Sequence, residues 1–136
     1  FDFFCFNFNG STFVIANVDD KADMRTLASV KYDGVQYVHQ GWLTDDHKYL
    51  LSNDELDEDR AGNPTRTFIW DVQELSDPKL IGIYDHTTSS IDHNLYILGD
   101  KIFQSNYTSG LRMMDGTAIT PNIQRQSLLP PNPSKK

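Results

Sequence analysis

The stretch His39-Gln-Gly-Trp-Leu43, followed by Lys48-Tyr-Leu-Leu-Ser-Asn53 and Phe68-Ile-Trp-Asp71, is written a second time as His93-Asn-Leu-Tyr-Ile97, Lys101-Ile-Phe-Gln-Ser-Asn106 and Leu111-Arg-Met-Met-Asp115. In each copy a histidine opens an apolar and aromatic run, a polar turn follows, a second run ends in Ser-Asn, and a third ends in Asp. Repetition at a period of roughly 50 residues marks radial or stacked repeat architectures, and short strands grouped by four mark propeller blades. The repeat therefore predicts an all-β, propeller-type segment of about two to three four-stranded antiparallel blades.

Working outward, residues 12–18 form a β-branched and aromatic run, Asp19-Asp20 opens a turn, and residues 27–32 return as a second strand. The same figure recurs at 67–72 and 80–84, with Ser76-Asp77-Pro78 as its turn. This predicts a partial blade over 12–34, a blade over 36–84, and a blade over 91–115 that could run on to 129. Asp45-Asp46-His47 and Gly99-Asp100 read as hairpin tips. The copies differ mainly by an insertion at 54–64, where insertions in repeat arrays map to loops on one face. No helix is expected. Residues 116–136 read as a divergent tail holding four of the six prolines, with one edge strand open at 123–129.

The 136 residues carry a formal charge of −7, and the twelve Lys and Arg are scattered. Nucleic-acid and anionic-membrane partners need basic patches, so both are excluded as expectations. No run approaches the roughly 20 apolar residues that span a bilayer. The single Cys5 excludes an internal disulfide framework, and its neighbours Phe4 and Phe6 predict a buried thiol. Asn9-Gly-Ser11 and Asn106-Tyr-Thr108 fit the N-glycosylation acceptor pattern, and any secretion signal is expected upstream of Phe1.

Taken together, Cys5-Phe-Asn-Phe-Asn9, Tyr37-Val-His-Gln-Gly-Trp-Leu-Thr44, Asp54-Glu-Leu-Asp-Glu58, Thr65-Arg-Thr-Phe-Ile-Trp-Asp71, Ile91-Asp-His-Asn-Leu-Tyr96 and Gly110-Leu-Arg112 resemble the choice-of-anchor B family, built from LVIVP-type repeats. The resemblance runs from about residue 5 to residue 115. It implies a secreted or surface-anchored β-propeller and no particular reaction. Family members are longer, and residues 117–136 depart from their pattern, which implies the C-terminal part of a propeller with an altered end.

Among candidate sites, His39 and His93 hold equivalent positions at the start of each blade's innermost strand, where imidazoles from several blades could meet around a channel metal. The alternative is that each hydrogen-bonds the backbone of a neighbouring blade. Asp71 and Asp115 close strands before turns and read as Asx-turn acceptors. Trp42, Trp70, Tyr49, Phe68, Phe103 and Tyr96 alternate with polar residues as sheet-packing positions. In the insertion, Asp54, Glu55, Asp57, Glu58 and Asp59 crowd together, with Asp54, Asp57 and Asp59 the preferred ligands of a candidate calcium loop. The alternative there is a solvated acidic loop neutralised by Arg60 and Arg66. No Gly-x-Ser-x-Gly elbow, phosphate loop, HExxH helix or EF-hand loop is present. The expectation is a non-enzymatic extracellular or cell-surface binding or scaffolding module. It would self-associate through open sheet edges or bind a protein or glycan surface, with a metal-assisted hydrolase around His39 and His93 as the alternative.

Overall fold

The computed structural model describes residues 2–117. These residues form ten strands and one short helix: β1 (Phe4–Phe8), β2 (Phe13–Asn17), β3 (Arg25–Val30), β4 (Val38–Leu43), β5 (Tyr49–Asp54), α1 (Asp57–Ala61), β6 (Arg66–Asp71), β7 (Lys79–Asp85), β8 (Asp92–Leu98), β9 (Lys101–Asn106) and β10 (Gly110–Asp115). The strands make three antiparallel sheets, each in sequence order: β1-β2-β3, β4-β5-β6-β7 and β8-β9-β10. The protein is all-β, and its sheets are blade-like.

Period-two alternation decides how the sheets stack, because successive side chains of a strand point to opposite faces. In the middle sheet Leu50 lies across from Trp70 and Leu51 across from Ile69. Leu50, Phe68 and Trp70 face the first sheet, where they join Phe13, Ile15, Val38 and Val72 in one buried cluster. Leu51 and Ile69 face the last sheet and join Leu95, Ile97, Ile102 and Met114 in a second. The middle sheet is thus apolar on both faces and sandwiched between its neighbours. Trp70 meets Phe13 edge-on at 5.0 Å and donates its indole N–H to Ser52 Oγ at 3.0 Å, so the one polar atom of the ring is satisfied.

Local chemistry fixes the connections. The tip between β4 and β5 closes through Thr44 N–H to Tyr49 O at 2.9 Å, with His47 at φ 56°. Between β8 and β9 the turn uses Gly99 at φ 56°, a conformation that costs a Cβ-free residue little. Asp71 accepts the Gln73 backbone N–H and Asp115 that of Thr117, each at 3.0 Å. Both aspartates therefore act as Asx-turn acceptors, and the Thr117 hydroxyl and N–H hold the Asp115 carboxyl below its usual range.

Three local expectations are corrected. The first sheet begins at β1, earlier than residue 12, because Phe6 and Phe8 pack on the core beneath Phe13 and Ile15. Cys5 is exposed, since it sits on the opposite face of this edge strand from Phe6. The insertion contains α1, one turn of helix ended by Gly62 in the left-handed conformation, whose N–H bonds Glu58 O at 3.1 Å. The open strand at 123–129 and the rest of the tail beyond 117 lie outside the described residues.

Candidate functional site

Both histidines sit at a β-bulge. Val38 pairs with Asp54 and Gln40 with Asn53, so His39 is the extra residue. In the last sheet Asp92 pairs with Asn106 and Asn94 with Ser105, so His93 is the extra residue there. A bulge leaves one residue out of the ladder and re-aims its side chain. Because β4 and β8 lie side by side, the two re-aimed imidazoles meet: their ring centroids are 4.6 Å apart with planes inclined by 22°.

Glu55, the residue after β5, completes the group. It is fixed by its N–H to Tyr37 O at 3.0 Å. Its carboxylate lies 3.5 Å from His39 Nδ1 and 3.9 Å from His93 Nε2. Tyr107, which follows β9, donates its hydroxyl to Glu55 Oε1 at 3.0 Å, and that bond raises the phenol pKa. The Asn94 side-chain amide stands 2.7 Å from His93 Nδ1, and Tyr37 stacks on His39 at 6.0 Å. The imidazoles therefore face one another and a shared carboxylate.

A second, more deeply buried layer lies beside this group. Asp54 accepts the Tyr32 hydroxyl at 2.8 Å and the backbone N–H groups of Gln36 at 2.7 Å and Tyr37 at 2.5 Å. Burial and the Asp54 charge push the Tyr32 phenol far up. Asp57 takes the guanidinium of Arg66 through both Nε and Nη2, while Arg66 also lies over the Phe68 ring at 5.1 Å. Burial nonetheless raises the Asp57 carboxyl above its ordinary value, and burial with the neighbouring Asp57 charge raises Glu58. Asp92 is fully buried and accepts Asn53 Nδ2 at 3.1 Å. Burial first, then the charges of Glu58 and Asp57, pushes its pKa up to about 9, so at neutral pH this carboxyl carries a proton. Such protonation is how a cluster of acids tolerates a dry site.

The preferred calcium ligands are placed as follows. Asp54 is buried and spends both oxygens on the partners just named; Asp57 is buried with Oδ2 held by Arg66 and Oδ1 without a hydrogen-bond partner among the described residues, and Asp59 is exposed on α1. Among the described residues, the group of acids and histidines close enough to share one ion is His39, Glu55 and His93, whose ligand atoms all lie within 4.8 Å of one another. Glu55 is the site residue the sequence reading did not single out. The hairpin register could have brought it close, because a tip at 45–47 sets the residue after Asp54 opposite Val38 and next to His39, and the bulge then moves it opposite Tyr37. Of the two glycosylation acceptors, Asn106 is buried and Asn9 is exposed, with its Oδ1 accepting the Ser11 and Thr12 N–H groups.

A further surface feature is the outer face of the last sheet. Tyr96 pairs with Phe103 and Phe103 with Met113, while Ser105 pairs with Leu111, which places these side chains on one face together with Leu98. Leu98, Leu111 and Met113 are 68%, 72% and 65% exposed. Tyr96 and Phe103 stack at 5.0 Å, and Trp42 approaches Tyr96 edge-on at 6.2 Å. No protein-family model matches the chain, and no curated protein matches it either, so the functional reading rests on these residues.

Proposed function

We propose that the chain is a non-enzymatic, extracellular binding or scaffolding module of propeller type, whose blades dock face to face and whose last blade receives a further blade of the same repeat. The observation that carries this reading is the register of the two copies. Aligned by ladder register, which moves the second strand one residue from the Ser-Asn alignment of the sequence, Leu51 opposite Ile69 in the middle sheet corresponds to Phe103 opposite Met113 in the last, and Trp42 corresponds to Tyr96. Leu51 and Ile69 are buried under the next sheet. The equivalent face bearing Phe103 and Met113 has the same chemistry and faces solvent.

A contiguous exposed apolar face of this kind marks an interaction site. Burying a leucine or methionine side chain contributes about 1.5–3 kcal/mol, so Leu98, Leu111 and Met113 together supply a strong drive to dock. The extracellular placement follows from the resemblance to the choice-of-anchor B family. In the isolated chain the proposed source of the further blade is a second copy. Sedimentation velocity should therefore show concentration-dependent association of the wild type, and a Leu111→Lys/Met113→Lys variant with an unchanged far-ultraviolet spectrum should associate at least tenfold more weakly. Equal association of the two proteins would refute the docking face.

A further inference from the structure

We propose that His39, Glu55 and His93 form a binding site for a divalent transition-metal ion, with zinc the best match, and that this ion ties the middle blade to the last one. The residues come from β4, the β5–α1 connection and β8, so an ion held by all three links two sheets. The donor set is two imidazoles and one carboxylate, which suits zinc and neighbouring transition ions; calcium wants six to eight oxygens.

The distances fit with little rearrangement. With metal–donor bonds of about 2.0–2.2 Å, tetrahedral donors stand roughly 3.3–3.6 Å apart. The His39–Glu55 separation is already 3.5 Å and the His93–Glu55 separation 3.9 Å. The widest separation, at most 4.8 Å, must contract by about 1.4 Å. Rotation of the imidazoles, each about one-third exposed, accomplishes this at the expense of the Tyr37–His39 and His39–His93 stacks. The rotation also converts the present ring stack into convergent lone pairs.

Groups around the trio behave as outer-sphere partners of a metal site, which orient ligands and tune their basicity. Tyr107 Oη holds Glu55 Oε1 at 3.0 Å. Asn94 Nδ2 stands 2.7 Å from His93 Nδ1, and zinc binding through Nε2 requires this amide to turn so that its oxygen accepts from Nδ1–H. The paired bulges supply the strongest support. The two blades break their ladders at the same position, and both breaks aim a histidine at one point. Three protein ligands leave a fourth position open to water or to a donor from a partner.

The test uses the full chain, stripped with a chelator and titrated with zinc chloride in a calorimeter. One equivalent should bind saturably, and Glu55→Gln and His93→Ala should each weaken binding at least tenfold. His47→Ala, which alters a histidine on the hairpin tip, should leave it unchanged. Should a variant fold poorly, imidazole nitrogen NMR of the wild type gives an independent reading. Of the four histidines, the resonances of His39 and His93 should move with zinc while those of His47 and His86 stay. Absence of saturable binding, zinc affinity unaltered in His93→Ala, or shifts confined to His47 would overturn the proposal.

Discussion

Gly41→Ala is a single-methyl test of how closely the first and middle sheets are fitted. Gly41 lies on β4, and a Cβ built there would stand 2.5 Å from Phe8 Cζ and 2.8 Å from the backbone oxygen of Leu51. Ordinary carbon contacts settle at about 3.5–4.0 Å, so the phenyl ring must withdraw by about 1 Å. Phe8 can turn, at the expense of its contact with Phe13 at 6.0 Å. The Leu51 oxygen cannot move without disturbing the β4–β5 ladder, where Gly41 and Trp42 lie opposite Ser52 and Leu51. Overpacking typically costs about 1–3 kcal/mol, and two obstacles, one of them backbone, place this variant in the upper half of that range. For a chain of this size each kcal/mol lowers the melting temperature by about 3–5 °C, so thermal denaturation should show a drop of roughly 6–15 °C. A Phe8→Leu change in the same chain should recover about 1 kcal/mol, because it removes the nearer obstacle. A Gly41→Ala protein as stable as wild type, or no recovery from Phe8→Leu, would show that the sheets are not packed as described.

Three further outcomes are expected. Arg66→Met removes the guanidinium from buried Asp57 and should cost about 3 kcal/mol in urea denaturation at pH 7.5, where an unpaired buried carboxylate is most expensive. Burial, and secondarily the Arg112 charge, depress the His86 pKa to about 4 from 6.5. Below pH 6.5 the unfolded chain therefore takes up a proton that the folded chain refuses. The stability that neutral His86 confers is complete above pH 6.5 and is lost as pH falls toward 4, so the gap between wild type and His86→Gln should narrow by about 1–2 kcal/mol from pH 7 to pH 5. Zinc at about 100 times its dissociation constant should raise stability by about 2.7 kcal/mol through selective binding to the folded chain, and a chelator should reverse the gain in a melting experiment.

The sequence disclosed those features whose causes are local. The hairpin tips at 45–47 and 99–100 and the turn role of Asp71 and Asp115 follow from residues within a few positions of one another, and the structure has them as read; the repeat appears as blade-like antiparallel sheets, and among the described residues the middle sheet alone has the expected four strands. Stacking of the sheets was legible in outline, because Leu50 and Leu51 are both apolar within one strand, which requires two covered faces. What escaped depends on tertiary context. β1 carries Phe4, Phe6 and Phe8 at strand period, but its place in the first sheet is set by the core that Phe6 and Phe8 find, built by residues far along the chain. α1 is a single turn, too short for any period to show, and it places Asp57 where Arg66 can meet it. Glu55 was read as one of five crowded acids. Its distinction from Asp54 arises only from the end of the β4–β5 ladder, which sends one carboxylate inward to Tyr32 and the other toward the histidines.

The central claim, that the apolar outer face of the last sheet is a docking surface for another blade, is tested most directly by a crystal structure of the chain in the associated form it adopts in solution. The account predicts that Leu98, Phe103, Leu111 and Met113 lie buried against a sheet of a second copy, as Leu51 and Ile69 lie buried against the last sheet within one chain. A monomer with that face open to solvent, or one covered by residues beyond 117 of its own chain, would contradict it.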